Sequence, residues 1–184
     1  MPAVKFEELP DVARVWIFAS DRPLRGDDAR TLLDTVDQFL SQWKAHGAPL
    51  RSAREWRDDR FLLIGVDPTI EQASGCSIDG LFRGLQGLER SLATRLVAGG
   101  RVFYRDANGE PQLAARSELA SLAARGILNG DTPVFDTSIT NAGAYRERFE
   151  QSARDTWVAS LLASAQESHA SSRSATKSSS ARNG

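Results

Sequence analysis

The clearest pattern along the chain is a set of short apolar runs separated by polar turns. Residues 12–19 and 61–66 are almost continuously apolar, which is typical of strands buried on both faces of a sheet. The run 50–56 mixes apolar residues with arginine and glutamate, which predicts a strand at a sheet edge. Residues 101–113 contain a strand, an Asp-Ala-Asn-Gly turn and a short returning strand, which predicts a hairpin.

Between these strands, apolar residues recur at the three- and four-residue spacing of amphipathic helices. The first predicted helix begins at Asp27 or Asp28 and ends near His46-Gly47, where glycine suits a left-handed terminator. The second follows an N-cap at Ser77 and ends near Gly99-Gly100. The apolar faces of all these elements predict one shared core, formed by Trp16, Phe39, Trp43, Phe61, Ile64, Leu85, Leu88 and Phe103.

The C-terminal third of the chain has weaker patterns. They predict a small helix over 117–125, a short strand over 133–136 and a helix over 145–162. The order β-α-β-β-α-β over 12–105 is that of a ferredoxin-like split unit. The predicted fold class is therefore α+β, with a ferredoxin-like unit, an added hairpin strand and C-terminal helices.

Composition divides the chain into a folded part and a tail. Residues 1–163 have the apolar content of a single α+β domain, whereas 164–184 are rich in serine and alanine and lack large apolar residues. Such a tail cannot offset the entropy of ordering, so it is expected to be disordered.

Charge and cysteine content exclude several classes of function. The net charge of −1 gives no overall field for nucleic acid or anionic membranes. One cysteine and two histidines allow neither an internal disulfide nor a cysteine/histidine zinc cluster, so no metal or cofactor is expected. The N-terminus lacks the apolar run of a signal peptide, which indicates a cytoplasmic protein without membrane association.

Candidate chemistry centres on the loop that opens the second predicted helix. An N-cap at Ser77 would put Cys76 just before the helix and Asp79 in its first turn. One interpretation makes Cys76 an apolar staple that packs on Leu81. The other uses the same geometry as an anion site, because helix N-termini bind anions and favour the thiolate of a cysteine.

The predicted ferredoxin-like topology places other residues beside this loop. If both strand-to-helix loops lie at one end of the sheet, two arginines of the first loop lie beside the second, while His46 lies at the opposite end and cannot serve as a base for Cys76. No catalytic residue is therefore predicted. The candidate ligand or anion site comprises Arg22, Arg25, Ser74, Gly75, Cys76, Ser77 and Asp79.

A stripe of small residues runs beside the leucines of the second helix. Gly80, Gly84 and Gly87 each cost about 1 kcal/mol relative to alanine in a helix interior, which favours close approach of another element. The sheet, a ligand or a second copy of the chain could fill that role, so a homodimer through these glycines is one of the expected arrangements.

The chain resembles a family of short, uncharacterised bacterial proteins that often carry the label "ABC transporter ATPase". The matching segments span most of 1–163 in the family's order and are Phe6-Glu7-Glu8-Leu9-Pro10, Arg14-Val15-Trp16-Ile17, Trp43-Lys44-Ala45-His46-Gly47, Arg60-Phe61, Val66-Asp67, Ser74-Gly75-Cys76-Ser77-Ile78-Asp79 and Thr132-Pro133-Val134-Phe135. The resemblance implies no established activity. The ATPase label is not supported, because the sequence has no Gly-x-x-x-x-Gly-Lys-Ser/Thr loop to hold a triphosphate.

Two hypotheses of function follow from the sequence. The first is a small cytoplasmic binding or interaction domain without catalysis, with a protein partner or a small anion as its ligand. The second is an enzyme or an anion- or metabolite-binding protein that uses Cys76 at a helix N-terminus.

Overall fold

The computed structural model describes residues 4–96 and 100–163. Helices and antiparallel sheets are mixed along the chain, so the predicted α+β class is confirmed. The chain forms two compact units, Met1–Gly99 with Asp136–Phe149 and Gly100–Phe135 with Glu150–Gly184. The single domain expected over 1–163 stays a prediction, and the expected disordered tail over 164–184 lies outside the described residues.

The first unit is built on a three-stranded antiparallel sheet of order β1-β5-β4. A small hairpin, β2-β3, lies between the first long helix and β4. The elements are β1 (Arg14–Ala19), α1 (Gly26–Gln42), β2 (Lys44–Ala45), β3 (Ala48–Pro49), β4 (Ser52–Arg57), β5 (Phe61–Val66), α2 (Gly75–Ser91) and α4 (Ala142–Arg148).

Both faces of this sheet are covered, which explains why β5 is buried at every position. Residues of α1 and α2 such as Leu32 and Leu85 pack on Leu62 and Ile64 of one face. The other face contacts a 3-10 helix at Phe6–Glu8, whose Phe6 ring lies 3.1 Å from where a Cβ on Gly65 would be. The uniformly apolar pattern of 61–66 therefore predicted a central strand correctly.

Aromatic residues complete that second face. Phe149 packs edge-on against Phe61 with ring centroids 5.2 Å apart, and Tyr145 of α4 packs on Phe149 at 5.0 Å. The Tyr145 hydroxyl donates a 2.7 Å hydrogen bond to Glu55 of β4. Burial, followed by this hydrogen bond, raises the pKa of Tyr145 well above its ordinary value. The pair fixes α4 to the sheet through a buried polar contact.

The fourth strand of the predicted ferredoxin-like unit is not part of this sheet. Residues Arg101–Arg105 do form a strand, but it belongs to the sheet of the second unit. On the side of β1 where that strand would pair, Val15 N–H donates to Thr140 O at 2.9 Å and Ala19 N–H donates to Leu96 O at 3.0 Å. Two loop segments thus accept hydrogen bonds from the outer edge of β1. Of the predicted unit, only the β-α-β-β part formed by β1, α1, β4 and β5 is present in this sheet.

The second unit contains a four-stranded antiparallel sheet of order Pro111–Ala115 (β7), Arg101–Arg105 (β6), Pro133–Phe135 (β8) and Glu150–Ser152 (β9). The expected hairpin strand is present, and Arg105 of β6 binds Glu150 of β9 through Nε and Nη2. Its core includes Val102, Leu119 and Val158. The elements are β6 (Arg101–Arg105), β7 (Pro111–Ala115), α3 (Leu119–Ala124), β8 (Pro133–Phe135) and β9 (Glu150–Ser152).

The helix predicted over 145–162 is interrupted. The helix α4 ends at Arg148, β9 follows and pairs with β8, and residues 158–163 are helical again. Pairing with β8 thus overrides the helical propensity of this segment, as tertiary contacts commonly do.

The predicted shared core is divided between different parts of the structure. Phe61 faces away from α1 and α2, and Phe103 lies in the second unit, although both are fully buried.

The ends of the two long helices also differ from their predicted positions. The first helix ends at Gln42, and His46 and Gly47, at φ 50° and 85°, form the tight turn of the β2-β3 hairpin instead of a helix terminus. The second helix ends at Ser91, because Ala93 adopts φ 47° and Thr94 N–H bonds back to Glu89 O. No helix among residues 4–96 and 100–163 is long and apolar enough to cross a membrane.

Candidate functional site

The two strand-to-helix loops lie at opposite ends of the sheet. Strand β5 runs antiparallel to β1, so α2 begins where α1 ends. A 2.9 Å hydrogen bond from Trp43 Nε1, just after α1, to the carbonyl oxygen of Ser77 in α2 joins these two helix ends. The topological argument that separated His46 from the start of α2 is therefore wrong.

Neither predicted arginine lies at the start of α2. Arg22 Nη2 donates to the carbonyl oxygen of Leu92, just past the C-terminal end of α2, at 2.6 Å and pairs with Asp28 at 2.7 Å. Arg25 Nε pairs with Asp59 at 2.6 Å. Since α2 spans 17 residues, its two ends are separated by about 25 Å. The predicted anion site therefore loses both of its cationic partners.

The remaining predicted residues do form the first turn and a half of α2, but with a different cap. Ser74 is the N-cap, and its Oγ accepts a hydrogen bond of 3.3 Å from Ser77 N–H. Ser77 is buried as the third helical residue, and its hydroxyl donates back to Ser74 O at 2.8 Å. Gly75, Cys76 and Asp79 are exposed. The exposure of Cys76 also contradicts its interpretation as a buried staple.

A shallow cleft of about 450 Å³ opens beside this helix start and is called the His46 cleft here. It contains the hairpin turn residue His46 together with Ser74, which the sequence interpretation placed at opposite ends of the sheet. Its lining comprises His46, Pro68, Ile70, Glu71, Gln72, Ala73 and Ser74.

Asp67 holds the loop beside this cleft through its hydrogen bonds. Its carboxylate accepts hydrogen bonds from Thr69 N–H at 2.9 Å, from Thr69 Oγ1 at 2.6 Å and from Arg51 Nη1 at 2.7 Å. Burial alone would raise the pKa of Asp67, but the Thr69 hydrogen bonds and the Arg51 charge outweigh it and lower that pKa below its ordinary value. Asp67 is therefore a charged buried anchor for the loop.

A deeper hollow, which the sequence interpretation missed, lies between α1 and the start of β4 and is called the α1/β4 groove here. Its volume is about 540 Å³, and apolar and polar side chains contribute about equally to its lining. The lining comprises Val4, Lys5, Asp37, Leu40, Ser41, Trp43, Pro49, Leu50, Ser52, Ala53 and Arg54. The available sequence signal was a predicted edge strand over 50–56 together with apolar residues at the end of α1, but the sequence does not show that these two elements lie side by side.

Strand β4 presents backbone groups to this groove. Val15 and Ala19 direct their N–H groups away from β5. The residues at the alternate positions, Trp16 and Phe18, therefore form the backbone hydrogen bonds to β5. Gly65 lies opposite Val15, so its backbone N–H and C=O groups point toward Ala53 of β4. The N–H and C=O groups of Ser52 and Arg54, on either side of Ala53, therefore face outward. Among the described residues no strand pairs with β4 on that side. The groove thus runs along a sheet edge that the described strands leave unpaired. On that edge Arg54 is partly exposed and Ser52 is 8 % exposed.

Charged side chains frame the groove. Arg54 binds Asp37 through two hydrogen bonds of 2.6 Å, from Nε and Nη2. This ion pair forms one wall of the groove, and the arginine compensates the negative charge of Asp37. Lys5 lines the groove with its side chain 75 % exposed. Lys44 is also exposed; it follows Trp43 in the chain and pairs with Pro49 in the hairpin.

Comparison of the chain with family models, with curated proteins and with solved structures finds no match. Across residues 4–96 and 100–163, no group of three or more histidine, cysteine or acidic side chains is arranged to hold a metal ion. The geometry of the molecule itself is therefore the basis for a functional proposal.

Proposed function

We propose that this protein is a small binding or interaction domain without catalysis, and that it binds an extended segment of a partner protein in the α1/β4 groove. The observation that carries the proposal is the outward edge of β4 beside this groove. A bound segment would pair with the backbone of Ser52 and Arg54 and add a strand to the sheet. Alternate side chains of that segment would enter the groove.

The chemistry of the groove supports a peptide ligand over a small metabolite. Leu40 is partly exposed, and the core residues Trp43 and Leu50, each 4 % exposed, lie at the bottom of the groove. The one carboxylate of the lining is already bound by Arg54. Main-chain hydrogen bonds at a sheet edge give affinity, while side-chain contacts in the groove give selectivity. The groove supplies both kinds of contact.

The test removes one outward donor while keeping the rest of the strand. In Ser52→Pro the residue loses its N–H, but proline is tolerated at the first position of a strand and this N–H does not bond to β5. Ser52→Ala is the matched control, because it keeps the N–H. Short random peptides are displayed and selected on the full-length chain, and binding of the selected peptides is measured by fluorescence anisotropy.

We expect selected peptides to bind wild type and Ser52→Ala equally and to bind Ser52→Pro about tenfold more weakly, the cost of one or two lost hydrogen bonds. Thermal unfolding of each variant checks that the sheet is intact. Selection of no peptide, or equal binding by the proline variant, would contradict strand addition at β4.

The second candidate is an anion- or metabolite-binding role at the His46 cleft. It is favoured by one observation: His46 lies in the same cleft as Ser74, the cap of the helix that exposes Cys76. A thermal-shift screen with inorganic phosphate and a metabolite collection tests it, with His46→Ala as the variant. A ligand that stabilises wild type but not this variant would support the second candidate over the first.

Three further expectations stand as proposals. They are a cytoplasmic location, a homodimer through Gly80, Gly84 and Gly87, and membership of the bacterial family that the sequence resembles. The homodimer has one structural point in its favour. A Cβ on Gly84 or Gly87 would have no neighbour within 4 Å among the described residues, so this face of α2 is open.

A further inference from the structure

The charges around the α1/β4 groove bear on the kind of segment that it binds. The chain has lysine at only three positions, 5, 44 and 177, and the structure describes the first two. Lys5 lines the groove, and Lys44 is adjacent to the lining residue Trp43. Lys44 is not itself a lining residue, but it pairs in the hairpin with Pro49, which is one. Both residues are exposed, so both are accessible to a partner protein.

The opposing negative charges are already engaged. Asp37 is held by the two hydrogen bonds from Arg54. Lys5 has a partner in Glu7 at 3.7 Å, but both side chains are more than 70 % exposed, at 75 % and 77 %. Such an exposed pair contributes little and can be exchanged for a better partner. With Lys5 and Lys44 counted against Glu7, and Arg54 against Asp37, the charges around the groove sum to +1.

We infer that the segment that adds to β4 is acidic and apolar: an extended peptide with aspartate or glutamate side chains flanking an apolar residue. This inference rests on the proposed function. The apolar residue contacts Leu40, Trp43 and Leu50 in the groove, and the flanking carboxylates pair with Lys5 and Lys44. Opposite charges at a rim raise the association rate and select among partners.

The experiment uses the same displayed peptides with a charge-reversed chain. Lys5→Glu/Lys44→Glu reverses both lysine charges and leaves the apolar residues of the groove and the β4 backbone unchanged. Arg83→Glu/Arg90→Glu makes the same change in net charge on exposed positions of α2 and is the matched control. Selection and affinity are measured for the three full-length proteins at low and at high salt.

We expect wild type and the control to select peptides rich in aspartate and glutamate, with binding that weakens as salt rises. The Lys5→Glu/Lys44→Glu variant should bind those peptides about tenfold more weakly and should select lysine- or arginine-containing peptides instead. Peptides that depend on the Ser52 N–H but show no acidic preference would overturn this inference and leave strand addition standing. If no selected peptide depends on that N–H, strand addition itself fails.

Discussion

Ala93 shows how a single residue sets the end of a helix. It adopts φ 47°, a left-handed conformation in which glycine is common and alanine is strained. The conformation ends α2 and lets Leu96, whose N–H bonds to Glu89 Oε1 at 2.7 Å, return to the core. The strain at this position can be measured.

We expect Ala93→Gly to raise the free energy of unfolding by about 0.5–1 kcal/mol, because relief of a left-handed alanine outweighs the extra entropy of glycine in the unfolded chain. Ala29→Gly, the same change inside α1, should lower it by about 1 kcal/mol. Urea unfolding followed by circular dichroism measures both. Equal destabilisation by the two variants would show that Ala93 is not strained.

Asp67 gives the molecule an acid-sensitive anchor. Its pKa is lowered in the folded state, so its contribution to stability is fully present above the unfolded pKa of about 3.9 and is lost as pH falls through the lower folded value. We expect Asp67→Asn to cost about 1–3 kcal/mol at neutral pH, since the charged bond to Arg51 is lost.

The difference between Asp67→Asn and wild type should shrink as pH falls below about 4 and should disappear below the lowered folded pKa of Asp67, where both side chains are neutral. Unfolding in urea at a series of pH values checks this. Asp34→Asn, an exposed carboxylate in α1, is the control and should change stability by less than about 0.5 kcal/mol. A constant difference across the acid range would mean that the Asp67 charge does not contribute.

At the scale of elements, the glycines of α2 separate into two environments. A Cβ on Gly80 would lie 3.9 Å from Phe39 of α1, so this glycine faces the neighbouring helix, whereas Gly84 is exposed. We expect Gly84→Ala to raise the free energy of unfolding by about 1 kcal/mol through helix propensity alone. Gly47→Ala should lower it by about 1–2 kcal/mol, because Gly47 has φ 85°.

The same Gly84→Ala variant tests the homodimer proposal. Unfolding is followed at low and high protein concentration, alongside analytical ultracentrifugation. A gain that disappears as concentration rises, together with weaker association, would show that a second copy packs against this face. A gain of the same size at every concentration, with only monomer present, would contradict that homodimer.

Elements with a strong local pattern were predictable, and relations between elements were much less so. The apolar run of β5, the edge position of β4 and the hairpin turn after β6 were all recognised. The helix start at α2 was misplaced because Ser74 and Ser77 are equally good caps in sequence. The choice is made by packing, since Ser77 is buried and its carbonyl is bonded to Trp43.

The candidate site was only half predictable for a similar reason. Residues 74–79 cluster through local sequence, so their grouping was found. Arg22 and Arg25 were placed there by a topological assumption, and the antiparallel direction of β5 moves them to the other end of the molecule's first unit. The α1/β4 groove depends on how a hairpin, a helix end and a strand edge meet, which no local pattern encodes.

At the scale of the whole molecule, the two units are interleaved in sequence. The first is completed by Asp136–Phe149, after the strands β6, β7 and β8 of the second have already passed in the chain. The second is completed only by residues that begin at Glu150.

This interleaving has a consequence for synthesis. A growing chain generally folds domain by domain, starting from its N-terminus. Here the ribosome delivers most of the second unit before it delivers the helix α4 that fixes Tyr145 and Phe149 beneath β5. Until then, among the described residues, one face of the sheet of the nascent first unit is covered only by the segment around Phe6–Glu8. A pause once residue 149 has left the ribosomal exit tunnel would let this unit close before β9 emerges, whereas a pause with only residues up to 135 outside the tunnel would prolong its exposure to chaperones and to aggregation.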